Sequence, residues 1–427
     1  MSKQAKAVIP HIIDQHAEEA AFLWLLRNNA VDAPHYDLND LSKLDDRVEA
    51  HLDGLRIAGD YGWQVCSENL QIKESGEVFA AAVLALEGKS DERIKQVCEI
   101  VEQAPETLNG LEAAFGWVEA QNLHGTVNEC LVSEKPLWRQ IGLSACAIHR
   151  VDPGNFLDQA IGDDNLQLRA RALKAVGELG RADLKTALLK QLNQGNNHGN
   201  KHDNNSDDNT RFWAAWSAVL TGDRDVALNC LRLEIETNSI YCLEAMLVAL
   251  PALDTQSVNK TLKVLADSEE TLRQAIIGAG ISGDPAYIPW LIQQMNSPQL
   301  GRVAGEAFAN LCGIDLAYQD MEGELPDGEL GGPTENPEDD NVAMDPDEDL
   351  ACPDPLLVQQ WWQERKHNFK PGVRYLYGKP ADKAQCEWLL KNATQRLRYS
   401  AAISLALMQP DQALFEVRAM GKRQQIT

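Results

Sequence analysis

Leu38, Leu41, Leu44, Val48, Leu52 and Leu55 recur at steps of three and four, with Asp40, Asp45, Asp46, Arg47 and Glu49 lying off that stripe. The spacing gathers the apolar side chains on one face and predicts a helix here, its charged residues turned to solvent. An earlier run, about Asp14 to Asn28, carries Phe22, Leu23, Leu25 and Leu26 and predicts another helix. Residues 1–90 therefore read as an N-terminal helical region, suited to cap the open end of a repeat array.

From 91 to 318 the pattern repeats. The runs Leu137-Trp-Arg139-Gln-Ile-Gly-Leu143, Leu168-Arg169-Ala-Arg171-Ala-Leu173 and Thr210-Arg211-Phe-Trp213-Ala-Ala215 each place an arginine near the start of a helix-like stretch. Runs led by Arg273, Arg302 and Arg398 do the same, and one at Tyr241 lacks the arginine. The steps are 30 (Arg139 to Arg169), 42 (to Arg211), 62 (to Arg273) and 29 (to Arg302). A unit of about thirty residues is one antiparallel helix pair. The 62-residue step is then two units, and the 42-residue step holds the tract 193–209, which has no apolar residue and is expected to form no regular structure. The six arginines are expected to be structural, each pairing with an aspartate or carbonyl of the next unit. Turn chemistry agrees: in Gly283-Asp284-Pro285 the glycine stops one helix, Asp284 caps the next, and Pro285 takes its first position, where a missing N–H costs nothing.

Length does not discriminate between one array and several domains, but composition favours helices over sheets, with 44% apolar residues and only 6% aromatic. Nine cysteines, an odd number, stand no closer than twelve residues apart and mostly within apolar stretches. They read as core residues in a reducing compartment. The opening residues lack a secretory pattern, and no stretch approaches the length of a membrane span, so the expected location is cytoplasmic. A formal charge of −25 repels phosphate backbones and anionic lipid, which argues against nucleic acid and membrane as partners.

Residues 319–355 break the pattern. Between Gln319 and Asp354 stand fourteen carboxylates and no lysine or arginine, interrupted by prolines and glycines that forbid a long regular element. One reading is a solvated insertion. The other is a docking loop for a basic partner, with Asp339, Asp340, Asp345, Asp347, Glu348 and Asp349 as contacts beside Trp361 and Trp362, which can equally pin the loop to the core. The alternating ligands and central glycine of a helix-loop-helix calcium site are missing from Asp345 to Asp349. Residues 356–427 read as a closing helical repeat or cap.

Chemical motifs are few. Gly278-Ala-Gly280-Ile-Ser-Gly283 spells GxGxxG, but it falls on the arginine-bearing helix of a repeat where the dinucleotide fold needs a strand. His198 and His202, at i and i+4, fall in the polar tract. HExxH and GxSxG are absent, and no cysteine has a catalytic context. The expectation is no catalytic residue, no cofactor, no metal and no enzymatic activity. An enzyme class without a motif would betray itself as a buried cluster of ionisable groups with shifted pKa.

With its arginine-led units, the central region resembles HEAT repeats, Leu168 to Gly180 being similar to that family's second-helix pattern. The resemblance implies an all-α, HEAT-like α-solenoid of antiparallel helix pairs with an N-terminal helical cap and an acidic irregular insertion. The strings Leu44 to Gly59, Arg211 to Leu220, Val303 to Phe308 with Gly313 to Leu316, and Gly332-Pro-Thr334 further resemble an uncharacterised proteobacterial family often encoded among type VI secretion genes. That implies a non-enzymatic scaffold, an adaptor or chaperone for a secretion effector or spike component. The alternatives are an immunity protein that meets a basic toxin through the acidic insertion, and an unrecognised enzyme.

Overall fold

The structure, a computed structural model, describes residues 9–194, 204–324 and 345–425. It is all-α apart from one short hairpin, and no helix among the described residues is long and apolar enough to cross a membrane. The chain divides into two compact units. The first takes residues 1–179, 200–213 and 415–427, and the second takes residues 180–199 and 214–414. The N-terminal region and the end of the chain thus fall in one unit, and the acidic segment falls inside the other.

The first unit holds α1 (Pro10–Ala30), α2 (Leu38–Ala58), α3 (Asp60–Asn69), α4 (Ser75–Glu87), α5 (Asp91–Gln103), α6 (Leu108–Trp117), α7 (Thr126–Leu131), α8 (Pro136–Ile148), α9 (Asn155–Ala160) and α10 (Leu166–Glu178). α2 carries the predicted stripe. Asp37 caps it, accepting the Asn39 and Asp40 N–H groups at 2.7 and 2.9 Å, and Leu41, Val48, Leu52 and Leu55 are wholly buried. Each such side chain contributes about 1.5–3 kcal/mol of burial. Asp45, on the face expected to meet solvent, is only 1% exposed. Farther on, α4, α6, α8 and α10 pack in succession, with α5, α7 and α9 beside them. Trp24 stacks on Phe79, which meets Trp117 edge-on, so α1, α4 and α6 share one aromatic seam.

The second unit contains α11 (Lys185–Gln194), the later part of α12 (Asn204–Leu220), α13 (Val226–Glu236), α14 (Cys242–Ala252), α15 (Thr255–Ala266), α16 (Leu272–Ser282), α17 (Ile288–Gln294), α18 (Gly301–Cys312), α19 (Pro355–Arg365), α20 (Lys383–Asn392) and α21 (Gln395–Met408). α14, α16 and α18 again pack in succession, each against the helix before it or after it. α12 begins at Asn204, inside the tract expected to lack structure. The rest of that tract, with His198 and His202, lies outside the described residues.

α16 ends at Gly283, whose φ of +68° only glycine adopts freely, and Asp284 then accepts the Ala286 N–H at 2.9 Å. The GxGxxG letters are therefore the last turns of a helix. Gly278 meets Leu262, and a Cβ on Gly280 would stand 3.0 Å from the Ala307 backbone. Small residues let α16 and α18 approach. The last region is not wholly helical: β1 (Tyr375–Leu376) and β2 (Lys379–Pro380) pair antiparallel through a turn in which Tyr377 and Gly378 both have positive φ. A final short helix, α22 (Gly421–Gln424), belongs to the first unit.

Candidate protein-binding surface

Within the first unit a stretch of chain, residues 415–425, is seated on the helices. Arg27 of α1 and Asp45 of α2, 6% and 1% exposed, pair at 2.8 Å. A buried ion pair needs its remaining donors and acceptors filled, and the seated stretch fills them. Arg27 donates from Nη1 to the Arg418 carbonyl at 2.7 Å and from Nη2 to the Ala419 carbonyl at 2.9 Å, and Asp45 Oδ2 accepts the Gly421 N–H at 2.6 Å. All three contacts read backbone, so they fix the path of a chain with little regard to its side chains.

The stretch answers with its own anchor. Arg423 donates to the carbonyls of Gly116, of Trp117 at 2.6 Å and of Val118 at 3.0 Å, at the C-terminal end of α6. There the unpaired carbonyls carry partial negative charge, which favours a cation. Gly421 is a steric requirement, since a Cβ would lie 1.9 Å from Ser42 Oγ and 3.0 Å from Ser42 Cβ. Around these contacts, Arg150 pairs with Glu416 at 3.1 Å, Arg418 with Asp32 at 3.2 Å and Lys422 with Asp46 at 2.7 Å.

A second cluster lies on α6, α8 and α10. Ser144 Oγ donates to Glu112 and accepts from Arg171 Nε at 2.7 Å, Arg171 Nη1 pairs with Glu178 at 2.7 Å, and Lys174 Nζ sits 4.3 Å from the centre of the Trp213 ring. Burial alone would raise the Glu178 carboxyl, but Arg171, Lys174 and Arg150 bring it down to about 2. Burial pulls Lys174 below its ordinary value, with Glu178 opposing and Arg171 and Arg418 assisting. Partial burial works against the Arg171 charge too, yet Glu178, Glu112 and Glu416 keep it firmly protonated. Glu416 and Arg418 thus act on this cluster from the seated stretch.

The residues singled out from sequence have the following places. Arg139 donates to the Ser133 and Glu134 carbonyls of its own turn and pairs with Asp163 of the following helix pair at 2.7 Å. Arg169 Nε donates to the Asp163 carbonyl at 2.7 Å, and Arg398, fully buried, donates to the Leu390 carbonyl at 2.8 Å. Arg211 is half-buried on α12. Arg273 and Arg302 turn instead to the acidic segment: Arg273 grips both Asp347 oxygens, and Arg302 holds Asp345 and the Asp347 carbonyl, the latter at 2.8 Å. Asp347 is only 3% exposed, while Glu348 and Asp349 are exposed. Asp339 and Asp340 lie outside the described residues. Trp361 meets Phe308 of α18 edge-on, and Trp362, buried, packs on Phe369.

Sequence reasoning passed over Arg27, Asp45, Arg423 and the Glu112–Ser144–Arg171–Glu178 line. One signal was available: Arg418, Lys422 and Arg423 crowd into a short stretch of an otherwise acidic chain. Among the described residues there is no group of three or more histidines, cysteines or carboxylates placed to hold a metal. Comparison with protein-family models, curated proteins and solved structures gives no match to this chain.

Proposed function

We propose that the protein is a non-enzymatic, protein-binding scaffold, an α-solenoid of HEAT-like helix pairs acting in the cytoplasm as adaptor or chaperone for a type VI secretion effector or spike component. The observation that carries the binding role is the 415–425 stretch, seated on the first unit through its main chain by Arg27 and Asp45. Groups that hold one stretch of chain by its backbone can hold another that has a glycine at the matching place. The succession α4, α6, α8, α10 supports the solenoid reading, and the family resemblance supplies the secretion context.

Co-expression with the spike and effector proteins encoded beside this chain tests the proposal. Retention of one of them through size exclusion, strengthened when residues 415–427 are removed, is the expected result. Failure of every such protein to bind either form would overturn it.

One observation favours a second reading as an enzyme: Lys174 is half-buried, with its proton affinity lowered, in a cluster of ionisable groups. A reactive amine would be labelled by a carbonyl reagent and borohydride faster than surface lysines. Labelling no faster than theirs would remove that reading.

A further inference from the structure

Arg374, in the second unit, precedes β1 and is held on three sides. Its stem lies over the turn that ends α16, with Cγ 3.0 Å from where a Cβ on Gly283 would stand. Its carbonyl accepts the Ala381 N–H at 2.9 Å across the hairpin, and Nη1 donates to Ser404 Oγ on α21 at 2.9 Å. Ser404 is itself fixed, donating to the Ser400 carbonyl at 2.6 Å. The rest of the guanidinium is unpartnered among the described residues: Nε is buried with no hydrogen bond, and Nη2 makes none. The residue as a whole keeps partial exposure, so solvent reaches part of it.

Among the described residues, what is missing is a carboxylate. The chain has 64 acidic residues against 39 basic ones, yet the one ionisable neighbour acting on Arg374 is the thiol of Cys386, which burial keeps protonated. Asp284, on the adjacent turn, is committed to the N–H groups of Ala286 and Gly372, the latter at 3.1 and 3.0 Å. Burying a guanidinium without a counter-charge is costly, and an unmade N–H bond adds to that cost. Arg27, Arg171, Arg273 and Arg302 all have their acid.

We propose that the unpartnered Nε and Nη2 edge of Arg374 binds a carboxylate brought from outside the chain. Two parallel N–H groups on one edge match the two oxygens of a carboxylate. A single positive charge with one serine beside it balances a monoanion, whereas a phosphate dianion would leave a negative charge unmatched. The carboxylate can be a free small acid or the end or side chain of a bound polypeptide. The site rests on different residues from the seated stretch and does not depend on the scaffold reading.

The test uses the full chain labelled with nitrogen-15 at arginine Nε. The resonance assigned to Arg374 is followed during titration with sodium acetate, with a short peptide ending in a free carboxylate, and with the same peptide amidated, at constant pH and ionic strength. A saturable shift with acetate or the free-acid peptide, at least tenfold weaker with the amidated peptide and with sulfate, is the expected result. Acetate and the free-acid peptide distinguish a small acid from a polypeptide source. No saturable shift with either, or sulfate binding as tightly as acetate, overturns the proposal. Arg374→Lys keeps the charge and loses the paired edge, and its acetate-induced rise in melting temperature should vanish. An undiminished rise also overturns the proposal, and if Arg374→Lys does not fold, the wild-type titration decides alone.

Discussion

Two short stretches are held against helices by arginines, one in each unit, and they are held differently. Residues 415–425 of the first unit are gripped mainly through backbone, by a pair of side chains that is itself buried. The acidic segment at 345–350 of the second unit is gripped through its own carboxylates, Asp345 and Asp347, by Arg302 and Arg273, of which Arg273 keeps a side-chain exposure of 32%. A backbone grip tolerates change in the gripped sequence and depends wholly on the gripping groups. A carboxylate grip does the reverse, and is weaker where water competes.

Arg27→Ala should have the largest effect, because it strands the Asp45 carboxylate in the core and leaves two carbonyls without donors. A loss of about 3–5 kcal/mol in urea unfolding is expected, with faster proteolysis within 415–425. A loss under about 1 kcal/mol would erase the contrast between the two grips.

The cluster beside the seated stretch gives the next effect. Glu178 is held down at about 2 from an ordinary 4.5, so its contribution is fully present above pH 4.5 and disappears as pH falls toward 2. About 2 kcal/mol of it should be gone by pH 3. Glu178→Gln should therefore lose about 2 kcal/mol less than the wild type between pH 6 and pH 3, compared by urea titration.

Gly421→Ala forces a Cβ into Ser42 and should cost about 1–2 kcal/mol, most of it recovered in the double variant with Ser42→Gly. Arg273→Gln should cost least, about 1 kcal/mol, because Asp347 can swing to water while Arg302 still holds Asp345. Its readout is faster proteolysis near Asp347 with little change in global unfolding. If it proves as damaging as Arg27→Ala, the two grips are equivalent.

The helical framework was legible because it is written locally. The stripe from Leu38 to Leu55 and the Gly283-Asp284-Pro285 punctuation act within a few residues, and α2 and the end of α16 follow them. The seated stretch was not legible, since Arg27 and Ala419 are 392 residues apart and neither carries a mark of the other. Asp45 sits off the apolar stripe, and only its partners make its burial tolerable. The hairpin at Tyr377-Gly378 was hidden by its brevity, two residues a side. Asp345 and Asp347 looked like the rest of a solvated acidic run, and what separates them is the arrival of Arg302 and Arg273 from helices whose arginines had read as internal struts.

The two ends of the acidic segment meet at one place. Glu322 and Pro353 form an antiparallel bridge, flanked by the Gly323 N–H on the Cys352 carbonyl and the Asp354 N–H on the Met321 carbonyl, both at 2.8 Å. With its two ends clasped, the length between them is nearly irrelevant to the fold, since doubling a closed loop costs only about 0.6 kcal/mol. The clasp makes this a natural port for grafting: a reporter domain spliced between Glu324 and Asp345 should leave the Glu322–Pro353 bridge intact.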